Sequence, residues 1–392
     1  MGVVSIKIKA FFIVVFTFFV FSSAWASEVT IAGFAFAGDF KSAAERFPYT
    51  YKLFNRASDE NKQNLSQLIN QRIKGVKNAS FDLKTADNMI ALRNSDRALM
   101  SVLVLTGETV STESFGAYYK TFINLRGDAL IFDYKNQVIV SSAPVSVVLF
   151  DATPDKPAES RILAFVEDLI RRDDGRGLIS QYVRRMETAA LPENSSKTLQ
   201  VKKGEIAPEA LALLPEALRN DVPAVEAMLA DSFGSILSAK LGLSMLPASI
   251  GHAVGGVMSM RLENGDDYKL KLGEGDYLFE LKLNKFAKIK TAENNVSTAY
   301  VYGAYMSMRF FEPALNTIFM ETDLKNGESA VVPAGLVSMD DFAAYQDAIR
   351  GLFLKFADAV QQPGSKWIAT AASAKNIDTQ MELVRKTLRN CK

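Results

Sequence analysis

The spacing of apolar residues predicts four main helices. Apolar positions that recur every three or four residues place one helix face against a core. The predicted helices cover about Glu60 to Val76, Ser160 to Met186 with a break at Gly175 and Gly177, Pro223 to Leu241, and Asp340 to Phe356. The third helix is the best delimited, because Pro223 suits a first helical turn and Gly242 suits an end.

Other segments follow the two-residue period of strands or are continuously apolar. The predicted strands include Val29 to Phe36, Ala98 to Leu105, Val138 to Val140 up to Pro144, Tyr268 to Leu272, Tyr277 to Leu283, and Ser329 to Val332. The segment Gly273 to Asp276 separates two of them and is typical of a turn, so Tyr268 to Leu283 is predicted to form a hairpin. Mixed helices and strands predict an α+β fold, or a three-layer α/β arrangement.

Short motifs that recur in the same order indicate an internal duplication. Val-Ser-Thr, Gly-Ala-Tyr and Asp-x-Lys-Asn begin at Val110, Gly116 and Asp133, and again at Val296, Gly303 and Asp323. The two Asp-x-Lys-Asn segments are predicted to be equivalent turns, since Asn tolerates a left-handed backbone. We therefore expect two related α+β domains, residues 27–190 and 197–362, joined by a linker from Leu191 to Ser196 and followed by a helical tail, 363–392.

The amino terminus has the three regions of a secretory signal peptide. Lys7 and Lys9 precede an apolar stretch from Ala10 to Phe21, and Ala24-Trp25-Ala26 is a small-x-small cleavage site. This stretch is shorter than the roughly 20 residues of a membrane-spanning helix. Residues 1–26 are thus predicted to be removed, which leaves Ser27 as the mature terminus of a periplasmic or secreted protein.

Composition narrows the partners of the mature protein. The chain has 392 residues, 48% of them hydrophobic, and a formal net charge of +1, so it supplies no broad positive field for nucleic acid. Its single cysteine, Cys391, excludes an intrachain disulfide. After the signal peptide, no further apolar stretch is long enough to predict an integral membrane span.

The order of elements near the mature terminus resembles a known domain. The strand Val29 to Phe36 is followed by Gly38-Asp39 and a helix, and later a turn at Asp133 to Asn136 leads to a strand ending near Pro144. This order is similar to the amino-terminal TolB-like domain, which also underlies the curli secretion subunit, activators of peptidoglycan synthases and a flagellar ring protein. The resemblance implies tandem, non-enzymatic periplasmic domains that offer sheet edges and helix faces to envelope partners. The chain lacks the lipid-accepting cysteine of the lipoprotein members, which argues against outer-membrane anchoring and pore formation.

Few residues have the pattern of a catalytic or metal site. His252 is the only histidine, and it lies in a glycine-flanked segment that predicts a turn. A zinc site or a Ser-His-Asp triad needs more partners than this sequence offers, so no cofactor or metal is predicted. Five carboxylates cluster in sequence and could bind Ca²⁺ or act on a glycan, but alternating lysines favour a solvated hairpin: Glu263, Asp266, Asp267, Glu274 and Asp276.

Aromatic residues are the remaining candidates for recognition, because tyrosine combines apolar area with a polar tip. The candidate partner-binding residues are Phe115, Tyr118, Tyr119, Tyr300, Tyr302 and Tyr305. Burial in the sheet is the competing interpretation. The sequence as a whole predicts an exported, non-enzymatic scaffold that binds proteins of the bacterial cell envelope. Two alternative functions stay open: a carboxylate-dependent hydrolase of glycan or peptide, and a small-ligand-binding protein with an aromatic cleft between its halves. Self-association into a homo-oligomer also stays open.

Overall fold

A computed structural model describes residues 27–59, 63–85, 98–191, 197–248, 253–254, 257–333 and 340–391. The predicted signal peptide and His252 lie outside these residues. The described part of the chain is an α+β fold in which helices pack on a single mixed sheet. The expected fold class is therefore confirmed.

Thirteen strands of the described residues form this sheet. They are β1 (Ser27–Ala37), β2 (Phe81–Thr85), β3 (Leu99–Ser114), β4 (Tyr119–Asp133), β5 (Val138–Thr153), β6 (Leu199–Ile206), β7 (Met245–Leu246), β8 (Ala253–Val254), β9 (Val257–Leu262), β10 (Asp267–Lys271), β11 (Tyr277–Glu293), β12 (Ser297–Glu312) and β13 (Thr317–Pro333). Their order is β10-β9-β1-β3-β4-β5-β7-β6-β11-β12-β13, with β2 beside β1 and β8 beside β9.

The α-helices of the described residues differ in places from those expected. They are α1 (Ala43–Arg46), α2 (Pro48–Asp59), α3 (Leu65–Ile73), α4 (Glu159–Arg171), α5 (Leu178–Thr188), α6 (Pro208–Leu211), α7 (Glu216–Arg219), α8 (Val222–Leu241), α9 (Phe342–Gln361), α10 (Lys366–Ala371) and α11 (Ile377–Leu388). The helix expected from Glu60 begins at Leu65 instead, because the Asn64 side chain accepts a hydrogen bond from the Gln67 N–H and caps it there.

The same connectivity occurs twice. In the first half of the chain β1 pairs in parallel with β3, and β3, β4 and β5 form an antiparallel meander followed by α4. In the second half β6 pairs in parallel with β11, and β11, β12 and β13 form a meander followed by α9. The domain boundaries themselves stay a prediction.

The recurring motifs do not mark equivalent positions, and that prediction was wrong. Asp133 ends β4 before the turn at 134–137, whereas Asp323 to Asn326 lies inside β13. The structural counterpart of the first turn is 313–316, since each turn ends in a residue with positive φ, Gln137 at 52° and Asn316 at 50°. An Asp-x-Lys-Asn segment also fits a strand, because its alternate residues reach opposite faces of the sheet.

The first half closes into a ring of strands. β9 and β10 form a hairpin that pairs with β1 on one side and, through Lys271 and Val138, with β5 on the other. The ring β1-β3-β4-β5-β10-β9 encloses an apolar core that includes Met100, Phe132 and Leu270. The expected pairing of Tyr268–Leu272 with Tyr277–Leu283 was wrong, because alternation shows which face is buried but not which strand lies alongside.

The second half keeps its helices on one face of the sheet. α8, α9, α10 and α11 contact one another or β6, β12 and β13, and share an apolar core that includes Phe279, Phe310 and Phe353. The predicted helical tail belongs to this core, since Ile368, Met381 and neighbouring apolar residues of 363–391 are buried in it. The opposite face of β6, β11, β12 and β13 is where the candidate site lies.

Candidate binding surface

The face opposite the helices differs between the two halves. In the first half the β9–β10 hairpin covers it and buries Met100, Val102 and Phe132. In the second half none of the described elements covers it, and along β13 exposed residues such as Lys325 alternate with buried ones such as Leu324. We call the uncovered face of β6, β11, β12 and β13 the open face.

A trough crosses the open face because small residues from three strands fall in one row. Strand register places Ala287 beside Gly303, and Gly303 beside Gly327. A Cβ on Gly303 would sit 3.4 Å from the Tyr305 ring and 3.5 Å from the Ala287 Cβ, so the floor of the trough lies directly against these neighbours. The cleft above it has a volume of about 300 Å³ and is bounded by Tyr305 and by Trp367 of α10.

Positive charge surrounds this trough. The Lys285 Nζ lies 5.1 Å from the centre of the Tyr305 ring, and Lys325 makes no ion pair with any described residue. The Lys355 Nζ donates to Glu328 Oε1 at 2.9 Å and to Asn326 Oδ1 at 2.7 Å. Burial acts to raise the pKa of Glu328, but hydrogen bonds from Asn326 and Lys355 outweigh it and lower that pKa. Lys285 and Lys325 thus add positive charge to the open face at the trough, whereas Lys355 and Glu328 pair with each other.

A second cleft of about 420 Å³ lies farther along the open face and is strongly polar. Two ion pairs lie in this cleft: Lys203 pairs with Glu205, and Arg309 Nη1 lies 3.4 Å from Glu280 Oε2. Lys282, Glu321 and Asp323 also line it and make no ion pair with a described residue. The Ser307 hydroxyl donates to Asp323 Oδ1 at 2.6 Å. Its carboxylates outnumber its cations, so this end of the open face differs from the trough in the sign of its charge.

The outer edge of β13 is capped over only part of its length. The Asp323 N–H donates to the Ser373 hydroxyl at 3.0 Å, and the Asp323 carbonyl accepts from the Ser373 N–H at 2.9 Å. The Glu321 N–H donates to Gln380 Oε1 at 3.0 Å. In an antiparallel strand, backbone groups of alternate residues point to opposite sides. Since the register with β12 is unbroken from Met320 to Pro333, the odd-numbered residues of this stretch point away from β12.

Beyond this cap the strand has a free edge. The backbone N–H and C=O groups of Gly327, Ser329 and Val331 point outward by the same alternation, and have no partner among the described residues. Gly327 also ends the trough, so the free edge and the trough meet at one residue. Unpaired strand edges are ready templates for another strand.

The six predicted aromatic residues are not brought together. Tyr305 lies on the open face beside the trough, and Tyr300 is half-buried with the Lys288 Nζ 4.5 Å from its ring centre. Phe115, Tyr118 and Tyr119 belong to the β3–β4 turn and its flank in the first half, where the rings of the first two stack at 5.7 Å.

Tyr302 requires a correction, because it is buried against the helices and only 1% exposed. Its hydroxyl donates to Asp341 Oδ1 at 2.7 Å. Burial is the main cause that raises its pKa, and the hydrogen bond to Asp341 adds to it. Tyr302 is therefore a core residue and does not contribute to an exposed binding surface.

The clustered carboxylates hold elements of the fold together. Glu263 accepts hydrogen bonds from the Leu65 and Ser66 N–H groups, at 3.1 and 2.6 Å, and so ties the β9–β10 turn to the start of α3. Asp276 accepts from the Thr198 N–H and hydroxyl, each at 2.8 Å. Asp267 and Glu274 pair with Arg261 and Lys202, while Asp266 accepts from the Asn264 amide. Within the described ranges no three potential metal ligands come together.

Sequence reasoning missed a buried ionic cluster between the two halves. Arg126 Nη1 of β4 lies 3.0 Å from Asp231 Oδ2 of α8, and Asp128 Oδ1 accepts from the Ser142 hydroxyl at 2.8 Å. Burial and the charge of Asp231 raise the pKa of Asp128 to about 7, against the hydrogen bond from Ser142 and the charge of Arg126. Burial likewise raises the pKa of Asp231. One indication was present in the sequence, because Arg126 and Asp128 lie two residues apart in the mostly apolar segment from Phe122 to Phe132.

Comparisons with known proteins do not assign the chain to a family. No family model and no curated protein matches its sequence. Among solved structures, a protein described as a homolog of the neuraminyllactose-binding hemagglutinin from Helicobacter pylori is 14% identical over 50% of this chain and 92% of its own, with a TM-score of 0.26. A minor lipoprotein from Acinetobacter baumannii is 11% identical over 42% of this chain and 87% of its own, with a TM-score of 0.20. The resemblance to TolB-like domains accordingly stays a prediction.

Proposed function

We propose that this chain is an exported, non-enzymatic protein of the bacterial cell envelope that binds other proteins through the open face of its second half. The observation that carries the proposal is the trough, where Tyr305 and Trp367 flank a floor of small residues next to a free strand edge. Such an arrangement offers apolar area, aromatic rings and unpaired backbone groups at one place, which are features of protein recognition surfaces.

Export is supported by the amino-terminal sequence, whose charged, apolar and small-x-small regions are those of a cleavable signal peptide. No helix in the part of the chain that the structure describes is long and apolar enough to cross a membrane. Envelope proteins are the partner class that an exported bacterial protein encounters. The resemblance to TolB-like domains points to the same class.

Site-specific photo-crosslinking in the native envelope tests the proposal. A photoreactive phenylalanine analogue in place of Tyr305 would lie beside the trough, and the same analogue in place of Leu383 would lie exposed on α11, away from the open face. We expect a discrete crosslinked protein from position 305 and none from position 383. Equal labelling from both positions, or no crosslink from position 305, would contradict the proposed function.

The hydrolase alternative has one observation in its favour. The polar cleft of the open face contains four carboxylates, those of Glu205, Glu280, Glu321 and Asp323. Purified protein should nevertheless release no product from peptidoglycan or from a peptide library. If it does, and if Glu321→Gln with Asp323→Asn abolishes the release, the protein is an enzyme and our proposal is wrong.

A small-ligand-binding function would require an aromatic cleft between the two halves. The cavity found there holds about 60 Å³ and is lined by residues such as Asn124, Leu229 and Ile349, with no aromatic side chain. This volume accommodates a few water molecules at most. The trough on the open face is therefore the better candidate for recognition.

A further inference from the structure

We propose that the free edge of β13, from Gly327 to Val331, binds an extended acidic segment of a partner protein, which joins the sheet as an added strand. The inference rests on the proposed function and specifies the kind of partner segment that the open face recognises.

The edge provides the main-chain part of this recognition. Gly327, Ser329 and Val331 direct their backbone N–H and C=O groups away from β12. An added strand would pair with these groups, because strand addition draws its affinity from main-chain hydrogen bonds. The cap formed by Ser373 and Gln380 ends before this stretch, so the added strand would start where the chain's own cap stops.

The trough provides a place for a side chain of the added strand. Alternate side chains of a strand point to one face of the sheet. A side chain of the partner that points to the open face next to Gly327 would enter the trough floored by Gly303 and Ala287. Tyr305 and Trp367 would then contact its apolar part.

The positive charge at this site favours an acidic partner segment. Lys285 and Lys325 lie on the open face at this site and make no ion pair with a described residue, whereas Lys355 is paired with Glu328. An acidic segment would meet this excess of positive charge, which favours correct partners and faster association. A second copy of this chain would bring the same lysines to the same edge and is the less favourable occupant.

Two substitutions at one position isolate the backbone contribution. Ser329→Pro removes an outward N–H and leaves the hydrogen bonds to β12 intact, since proline is tolerated on an edge strand when its nitrogen faces outward. Ser329→Ala keeps that N–H and removes only the hydroxyl. The probe is a fluorescein-labelled twelve-residue peptide of alternating valine and glutamate, with a valine–lysine peptide of equal length as its charge control.

The affinities of the two peptides, measured by fluorescence anisotropy, should depend on the outward N–H of residue 329 and on the charge of residue 325. We expect the glutamate peptide to bind the wild type and the Ser329→Ala variant alike, and to bind the Ser329→Pro variant about tenfold more weakly. Lys325→Glu should weaken binding of the glutamate peptide and strengthen that of the lysine peptide. Circular dichroism would verify that each variant is folded, and Lys325→Glu still tests the inference if Ser329→Pro is not.

Three outcomes would overturn the inference: no binding of the glutamate peptide to the wild type, equal binding to the proline variant, or a wild-type dimer that Ser329→Pro dissociates in analytical ultracentrifugation. The last would show that the edge pairs with a second copy. A crosslink from position 305 without peptide binding would refute the inference alone. Absence of any crosslink from position 305 would refute the proposed function.

Discussion

Replacement of Asp128 by asparagine should make the stability of the protein less dependent on pH between pH 5 and pH 8. Asp128 lies in the ionic cluster between the halves, close to Arg126 and Asp231, and burial together with the charge of Asp231 raises its pKa to about 7. Asparagine has nearly the same shape and keeps an oxygen that can accept the hydrogen bond from Ser142. The substitution therefore removes the titration while it preserves most of the packing.

The size of the effect follows from proton linkage. The ordinary pKa of an aspartate is 3.8, so between about pH 4 and pH 7 folded Asp128 holds a proton that the unfolded chain has released. The free energy of unfolding must then fall as the pH rises through this interval and level off above pH 7. At about 1.4 kcal/mol per pH unit, the contribution of Asp128 falls by roughly 2 to 3 kcal/mol between pH 5 and pH 8.

Urea unfolding at pH 5 and pH 8 measures this difference. The wild type should lose roughly 2 to 3 kcal/mol more than Asp128→Asn over this range, and Asp82→Asn on the exposed side of β2 should behave like the wild type. Asp231→Asn should destabilise the protein at both pH values, because it leaves Arg126 buried without its partner. Parallel loss of stability in the wild type and Asp128→Asn would show that Asp128 does not titrate in this interval.

Four further predictions concern single features of the chain. Tyr302→Phe removes the hydrogen bond to Asp341 and should lower the free energy of unfolding by about 1 kcal/mol without changing the crosslink from position 305; loss of that crosslink would place Tyr302 in the binding surface. Cys391 is 4% exposed and burial raises its pKa to about 12, so Ellman's reagent should react with it only after unfolding. Glu263→Ala should speed hydrogen exchange in the first turn of α3, and an unchanged rate would mean that this cap is dispensable. Amino-terminal sequencing of exported protein should begin at Ser27, and recovery of the full-length chain would contradict cleavage.

Elements defined by local chemistry could be predicted from the sequence. The helix expected from Pro223 to Leu241 is α8, Val222 to Leu241, and Gly242 ends it in a left-handed conformation at φ 65°. Proline at a helix start and glycine just after an end act through their own backbone preferences. Such signals are local, so no knowledge of the partner elements is needed.

Strand partners could not be predicted in the same way. The alternation in Tyr268 to Leu272 correctly indicated a strand with one buried face, but its neighbours are β9 and β5, and Tyr277 to Leu283 pairs elsewhere. Periodicity records which side chains are buried, whereas pairing depends on contacts between residues distant in sequence. The turn predicted at Asp323 to Asn326 shows a related limit, because a four-residue motif does not decide between a turn and a strand without the neighbouring strands.

The candidate surface was only partly visible in the sequence. Tyr302 and Tyr305 look equivalent there, yet an odd spacing of three places them on opposite faces of β12, one in the core and one beside the trough. Nothing in the sequence indicated the trough, because Gly303 and Gly327 carry no reactive side chain and become neighbours only through the pairing of β12 with β13. Reactive side chains can be recognised in a sequence, whereas a groove formed by glycines on neighbouring strands cannot.

The residues of the open face are themselves a reason why none of the described elements packs against it. The β9–β10 hairpin lies in the second half of the chain but covers the first, where the face beneath it is made of apolar residues such as Met100 and Phe132. The corresponding face of the second half instead carries Lys282, Arg309 and Asp323. Burial of such charged groups under an apolar hairpin would be costly, so this face is suited to water or to a polar partner. Removal of the hairpin from the first half would therefore expose an apolar, aggregation-prone surface, and would not produce a second copy of the open face.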